Sequence, residues 1–141
     1  MLSVDRSEDC VRFLLVDDDE SVLSYLETVL SPFAECVGVL SGSEAVRAFD
    51  FAHAEGKPYD AVFMDILMPG MDGHQAAEIL RDREERLGVD ELHAFKLVMV
   101  SSLVDDANVT RAFFSTQAVC YIVKPLQKDK VIEELRQNLV I

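Results

Sequence analysis

Acidic, hydroxyl and basic side chains follow four of the five apolar runs in this 141-residue sequence. A carboxylate can bind a metal ion or attack phosphorus, a hydroxyl can donate to a phosphoryl oxygen, and an ammonium group can neutralise its charge. Residues of these types at the ends of separate runs are typical of phosphate or metal chemistry. They are Asp17 and Asp18 after the first run, Asp65 after the third, Ser101 after the fourth and Lys124 after the fifth.

Asp65 has the clearest position for such chemistry. It follows the run Ala61–Met64, which is too short for a helix and apolar on both faces, as parallel strands are when helices cover both sides of a sheet. Pro69 and Gly70 then predict a loop. Ligands bind outside the carboxyl ends of the strands in open α/β sheets, so Asp65 is a candidate nucleophile; an ordinary turn aspartate is the structural alternative.

Apolar residues recur at helical spacing after each apolar run, so five strands alternate with five helices. Asp105 or Asp106 is the expected cap of the fourth helix, and Gly88 is the expected end of the third. We expect the charged segment Asp82–His93 to form a longer surface loop. The predicted strands are Val11–Val16, Glu35–Leu40, Ala61–Met64, Leu97–Val100 and Val119–Val123.

The alternation predicts an α/β fold with a doubly wound, five-stranded parallel sheet, because each helix must bury its apolar side on the sheet. If strands one and three are neighbours, Asp17, Asp18 and Asp65 converge on one cleft. Two like charges about 4 Å apart repel by roughly 4 kcal/mol at an effective dielectric constant of about 20, so the cluster requires a cation. Oxygen ligands without His or Cys favour Mg²⁺.

The composition limits the partners and the compartment. The length fits one domain, and the formal charge of −13 argues against binding to nucleic acid. Cys10, Cys36 and Cys120 lack the spacing of a disulfide framework or a zinc site, which favours a reducing compartment. No apolar run approaches about 18 residues, so we expect a soluble, cytoplasmic protein without a membrane segment.

Four segments together make the chain resemble the receiver domain of two-component response regulators, from Val11 to about Leu139. The resemblance implies a flavodoxin-like sheet with strand order 2-1-3-4-5, an N-terminal extension at residues 1–10 and a receiver domain at residues 11–141. It implies a signalling domain rather than an enzyme, apart from self-catalysed phosphotransfer and autodephosphorylation. The segments are Leu14–Glu20, Met64–Gly73, Val98–Ser102 and Tyr121–Pro125.

The resemblance also implies a metal site and a phosphoacceptor. Asp17 and Asp18 would be the acidic pair at Mg²⁺, with Asp18 as the direct ligand. The backbone carbonyl of Leu67 would be a further ligand. Asp65 would accept the phosphoryl group from a sensor histidine kinase or a histidine phosphotransfer protein.

Three more residues complete the site that the resemblance implies. Lys124 would hold the phosphoryl group, and the peptide bond before Pro125 would be cis. Ser101 and Tyr121 would form a switch pair, in which the hydroxyl moves toward the phosphoryl group and the ring turns inward. Phosphorylation would then alter the surface of the fourth helix, fifth strand and fifth helix, where an unspecified protein partner or a second copy of the phosphorylated chain binds.

Leu67 and Leu103 lie two residues beyond Asp65 and Ser101, at positions that tune self-hydrolysis in similar domains. Both are apolar here, so we hypothesise that they shield the acyl phosphate from water and make it long-lived. Ser101 replaces the threonine that is frequent in the family, which leaves its rotamer less restricted.

Two other interpretations stay open from the sequence. The spacing of Asp17 and Asp19 is similar to that in haloacid dehalogenase-like phosphatases, although Asp65 is then unexplained and Asp19 is the expected cap of the first helix. The chain can also be the receiver piece of a larger regulator; we expect a stand-alone domain, since no output domain follows the fifth helix. The histidines share no ligand spacing and are expected to be solvated: His53, His74 and His93.

Overall fold

A five-stranded, all-parallel sheet of order β2-β1-β3-β4-β5 forms the centre of the molecule in a computed structural model that describes residues 10–141. The parallel pairing predicted from the residue pattern and the strand order implied by the resemblance are both confirmed. Most of the expected N-terminal extension, residues 1–9, lies outside the described residues. The strands are β1 (Arg12–Val16), β2 (Glu35–Val39), β3 (Ala61–Met64), β4 (Lys96–Ser101) and β5 (Ala118–Val123).

A helix follows each strand, and polar side chains cap the first four helices. Asp19, Ser41 and Asp105 accept hydrogen bonds from backbone amides in the first turns of α1, α2 and α4. Gly88 ends α3 in the left-handed conformation, with φ at 73°. The helices are α1 (Glu20–Leu30), α2 (Gly42–Ala54), α3 (Gly73–Leu87), α4 (Asp106–Ser115) and α5 (Lys128–Gln137).

Alternate residues of the strands pack into two core layers, one on each face of the sheet. Leu14 and Met64 face the layer formed with α2, α3 and α4, whereas Phe13 and Phe63 face the layer formed with α1 and α5. The central strands are apolar on both faces because helices cover both sides. None of the described helices is both long and apolar enough to cross a bilayer.

The register of the central strands sets where the site forms. Val16 pairs with Met64, and the Asp65 amide donates to the Val16 carbonyl at 2.9 Å. Ser101, the last residue of β4, pairs with Val123 of β5. The residues that follow these positions therefore lie side by side at the carboxyl edge of the sheet.

The first half of the charged segment Asp82–His93 is helical, and only its residues 88–93 lie outside helices and strands. Helix α3 continues to Leu87, and Asp82 pairs with Arg86 one turn later, at 2.8 Å, on its exposed side. Leu87 is 57% exposed. Glu84 takes the buried position in this last turn because its carboxylate accepts the Phe95 amide at 2.7 Å.

Candidate functional site

Three carboxylates meet at the carboxyl ends of β1 and β3. Asp17 and Asp18 follow β1 directly and Asp65 follows β3, so the pairing of the two strands sets them next to one another. One carboxylate oxygen from each of the three residues lies within 4.8 Å of the other two. This convergence was predicted from the sequence for the case in which strands one and three are neighbours, and β1 and β3 are paired in the sheet.

Asp17 is the most buried member of the group, with 1% of its surface exposed. Its Oδ1 accepts the Asp19 amide at 2.9 Å, and its Oδ2 accepts from Nζ of Lys124 at 2.8 Å. Both carboxylate oxygens are thus engaged within the protein. Asp18 is exposed, so its carboxylate can be approached directly from solvent.

Lys124 lies between the two buried acids. Its Nζ is 2.8 Å from Asp17 and 3.5 Å from Oδ1 of Asp65. Burial alone lowers the pKa of Lys124, but the hydrogen bond to Asp17 and the charge of Asp65 outweigh burial, and the net shift of this pKa is upward. The ammonium group therefore stays charged at the centre of the site. The peptide bond from Lys124 to Pro125 is cis, as expected.

The carboxyl group of Asp65 is 5% exposed, and its pKa is raised to about 6. Burial is the largest cause, followed by the negative charge of Asp17, while Lys124 acts in the opposite direction and Asp18 adds a smaller upward contribution. The site thus holds more negative charge than one ammonium group can offset. A set of carboxylate oxygens without His or Cys suits a hard divalent cation such as Mg²⁺.

Ser101 and Tyr121 are connected through the backbone of one residue. The Oγ atom of Ser101, which is fully buried, accepts the Leu103 amide at 3.1 Å. The Tyr121 hydroxyl donates to the carbonyl of the same Leu103 at 2.7 Å, and its ring packs against the core layer under α4. Ser101 and Tyr121 therefore share the backbone of Leu103 as a hydrogen-bond partner.

Leu67 lies in the loop after Asp65, two residues beyond it, and its side chain is 57% exposed. Leu103 is half-buried and packs against the core layer under α4. The two leucines thus differ in environment although both were expected to act as shields.

Gly73 is a residue of the site that sequence analysis did not single out. Its amide donates to the Ile66 carbonyl at 2.8 Å, and a Cβ atom at this position would overlap the Asp65 carbonyl and approach the Cα of Ile66 to 2.8 Å. The first residue of α3 therefore packs directly on the turn at Asp65 and Ile66, which only glycine allows. The available signal was a glycine immediately after a helix cap, Asp72.

His74 is buried, with 1% of its surface exposed, so the expectation that it is solvated was wrong. Its Nε2 lies 2.9 Å from Oδ1 of Asn108 in α4. The ring occupies the interface of α3 and α4, where its tertiary neighbours rather than its polarity decide its exposure. His93 is exposed and lies 2.7 Å from Asp90, and His53 is half-buried against Phe49.

The phosphatase interpretation is not favoured. Asp19 would have to act as the acid in that chemistry, but its carboxylate accepts the Ser21 amide at 2.9 Å and the Ser21 hydroxyl at 2.6 Å. These contacts cap α1 and lower the pKa of Asp19, first through the Ser21 hydroxyl. A carboxylate held in this state is a poor proton donor.

Comparison with known proteins gives consistent results. Residues 13–136 match the response regulator receiver domain family. The chain is 30% identical over 141 residues to hybrid signal transduction histidine kinase L of Dictyostelium discoideum, covering 94% of this chain and 8% of that protein. It is 32% identical over 128 residues to response regulator protein VraR of Staphylococcus saprophyticus, covering 91% of this chain and 56% of VraR. The chain therefore spans only part of these relatives.

Solved structures share the fold at lower identity. The chemotaxis protein CheY4 of Vibrio cholerae aligns with a TM-score of 0.74 at 19% identity, covering 91% of this chain and 98% of CheY4. A CheY-like receiver domain from Methanospirillum hungatei aligns with a TM-score of 0.74 at 23% identity, covering 93% of this chain and 94% of its own. By sequence match over most of its length, the chain belongs to the response regulator receiver domain family of two-component signalling.

Proposed function

We propose that Asp65 is the phosphoacceptor of this receiver domain and that its phosphorylation switches the domain between two conformations. The observation that carries the proposal is the convergence of Asp17, Asp18 and Asp65 around the Lys124 ammonium group at the carboxyl edge of the sheet. A buried carboxylate beside a cation site is suited to attack phosphorus.

The donor set fits a magnesium ion. Asp18 and Asp65 would hold it directly, together with the backbone carbonyl of Leu67, while Asp17 would act from the outer sphere because both of its oxygens already accept hydrogen bonds. When bound, Mg²⁺ neutralises the clustered carboxylates and the charge on the transferring phosphoryl group. Affinity for the ion should therefore depend more on Asp18 than on Asp17.

The phosphoryl donor we propose is a phosphohistidine of a sensor histidine kinase or a histidine phosphotransfer protein. An oxygen of Asp65 attacks phosphorus, the P–O bond forms and the P–N bond breaks, and the electron pair stays on the histidine nitrogen. Lys124 is close enough to Asp65 to bind an oxygen of the incoming group. The Ser101 hydroxyl can donate to another oxygen once it no longer accepts the Leu103 amide.

The output follows from the connection between Ser101, Leu103 and Tyr121. If Ser101 turns toward the phosphoryl group, the backbone of Leu103 moves and the hydrogen bond from Tyr121 must adjust. The surface of α4, β5 and α5 then changes, and we propose that a protein partner or a second phosphorylated copy recognises it. We further propose a cytoplasmic location, where a kinase can reach the site.

Incubation with acetyl phosphate and Mg²⁺, followed by intact mass spectrometry, tests the proposal. The wild-type protein should gain one phosphoryl group, and Asp65→Asn should gain none. Asp19→Asn is the matched control, because it alters an acid of the same segment that caps α1, and it should still be phosphorylated. Phosphorylation of Asp65→Asn to the wild-type extent, or its loss in Asp19→Asn alone, would contradict the proposal.

A further inference from the structure

A hydrogen bond between α3 and α4 connects the two loops of the proposed phosphoryl site. We infer that His74 is a positioning residue: its hydrogen bond to Asn108 holds α4 in the unphosphorylated arrangement, and phosphorylation at Asp65 must break it. We call the contact between His74 and Asn108 the α3–α4 bridge. The inference rests on the proposed function, since it concerns how phosphorylation of Asp65 is transmitted.

The side chain of Asn108 is oriented by the cap of its own helix. Its Nδ2 lies 2.9 and 3.1 Å from the two carboxylate oxygens of Asp105, which can only accept hydrogen bonds. Oδ1 of Asn108 therefore faces His74, and Nε2 of His74 must carry the proton that it donates across 2.9 Å. The bridge thus runs in one direction, from His74 to Asn108 to Asp105.

Each end of the bridge is attached to one part of the phosphoryl site. His74 directly follows Gly73, whose amide donates to Ile66 and whose Cα packs on the Asp65 carbonyl. Asp105 follows Leu103 by two residues, and the Leu103 amide donates to Ser101. A shift of Ser101 toward a phosphoryl group therefore pulls on Asp105 and Asn108 while His74 stays with the Asp65 turn.

Helix α4 buries little apolar surface, and its other polar contacts to α3 include the half-exposed Arg111–Glu78 pair at 3.2 Å and the Arg81 hydrogen bond to the Thr116 carbonyl at its end. Ala112 is the only fully buried residue within α4, and the exposed side chain of Phe114 adds nothing to the core. An element with so little buried apolar surface can change position at low cost, so a single buried hydrogen bond has a large share in deciding where it lies.

The His74 ring is also incompletely satisfied in this arrangement. Its Nδ1 atom is buried and has no hydrogen-bond partner among the described residues. An apolar side chain would fill the space without the free-energy cost of an unsatisfied buried nitrogen. The hydrogen bond donated by Nε2 is the feature of the imidazole that offsets this cost. A contact with one favourable and one unsatisfied nitrogen is suited to an interface that must open.

The bridge can be followed in the unaltered protein by NMR. Before any addition, the His74 ring should be protonated at Nε2 and not at Nδ1. Saturation with Mg²⁺ and beryllofluoride, an analogue of the phosphoryl group, should shift the side-chain amide resonances of Asn108 and the ring resonances of His74. Resonances of both side chains that stay unchanged at saturation would overturn the inference.

Two substitutions at position 74 separate positioning from packing. His74→Leu removes the donor, and the beryllofluoride concentration at half-saturation should fall about two- to tenfold, as expected for the loss of one buried hydrogen bond that opposes the change. His74→Gln keeps a donor and should stay within about twofold of wild type. A purely structural role would lower the melting temperature without moving this midpoint, and that result would overturn the inference.

Asn108→Ala removes the other side of the bridge and decides the question if His74→Leu does not fold. It should shift the midpoint in the same direction, and the double variant should show no further shift. Phosphorylation by acetyl phosphate is measured on the same samples. If Asp65 is phosphorylated normally but Asn108→Ala has the wild-type midpoint, the inference alone fails; if wild-type Asp65 takes up no phosphoryl group, the proposed function fails with it.

Discussion

The Lys124 ammonium group lies 2.8 Å from Oδ2 of Asp17 but 3.5 Å from the nearer oxygen of Asp65. Asp17 is the more buried of the two acids, so it gains more from a charged partner. The ammonium nitrogen is therefore farther from Asp65 than from Asp17 and stabilises the charged form of Asp65 less. Burial and the charge of Asp17 raise the pKa of Asp65, and the more distant ammonium group offsets only part of that rise.

Removal of the Lys124 charge should destabilise the metal-free protein. Lys124→Met leaves Asp17 buried without its cationic partner, and we expect a loss of about 1–3 kcal/mol in the free energy of unfolding, measured by urea denaturation. Lys128→Met, at an exposed position at the start of α5, is the control and should change stability by less than about 0.5 kcal/mol. Addition of Asp17→Asn to Lys124→Met should restore part of the loss; equal stability of Lys124→Met and wild type would contradict the pairing.

The raised pKa of Asp65 predicts a specific pH dependence. The folded-state pKa of about 6 is above the ordinary value of 3.8, so between these values the folded state binds more protons than the unfolded state. The stability of the metal-free wild type should therefore fall as pH rises through this window. Asp65→Asn lacks the effect and should be more stable by about 1–3 kcal/mol near pH 8, with the difference shrinking toward about pH 4.

Unfolding of both proteins in a chelator, at a series of pH values, checks this prediction. Saturating Mg²⁺ should reduce the advantage of Asp65→Asn, because the cation favours the charged carboxylate. If the stability difference between Asp65→Asn and wild type is the same at every pH, the pKa of Asp65 is not raised in the folded state.

Asp18 should dominate metal affinity. Because Asp18 is exposed while both oxygens of Asp17 are engaged, Asp18→Asn should weaken Mg²⁺ binding by about tenfold or more, measured by calorimetry. Asp19→Asn should bind Mg²⁺ within about threefold of wild type, since that carboxylate caps α1. Equal affinities of these two variants would rule out Asp18 as the main ligand.

Gly73→Ala should disturb the phosphoacceptor turn. The added methyl group would collide with backbone atoms of Asp65 and Ile66, which cannot rotate away as a side chain could. We expect a loss of about 1–3 kcal/mol in stability together with slower phosphorylation by acetyl phosphate. Gly38→Ala meets only ordinary contacts with Leu23 and is the matched control, with a change of less than about 0.5 kcal/mol. Wild-type behaviour of Gly73→Ala would contradict the close packing.

The lifetime of the acyl phosphate tests the role of Leu67. Leu67→Asn replaces an apolar side chain beside Asp65 with one that can bind water, and loss of phosphate from the purified phosphoprotein should become several-fold faster. Leu92→Asn, at a residue that is 91% exposed in the loop before β4, is the control and should not change the rate. If phosphate is lost within seconds from wild type and Leu67→Asn is no faster, the shielding hypothesis is wrong.

The sequence predicted the elements well because their signals are local. Strand Ala61–Met64 was correct to the residue, since its apolar run is bounded by Asp60 and Asp65. Asp105 was one of the two predicted caps of α4, and Asp19 the predicted cap of α1, because a cap bonds to amides only two or three residues away. Such features need no knowledge of distant parts of the chain.

The long-range contacts of the site were decided only by the tertiary structure. Lys124 and Asp17 are 107 positions apart, and nothing local tells the lysine which of three acids it will contact. The burial of His74 depends on Asn108, 34 positions away on a different helix. The sequence alone determined which side chains stand at strand ends, because that follows from residue periodicity. Their partners, their exposure and their pKa shifts depend on how the helices pack across the sheet, so only the folded chain decides them.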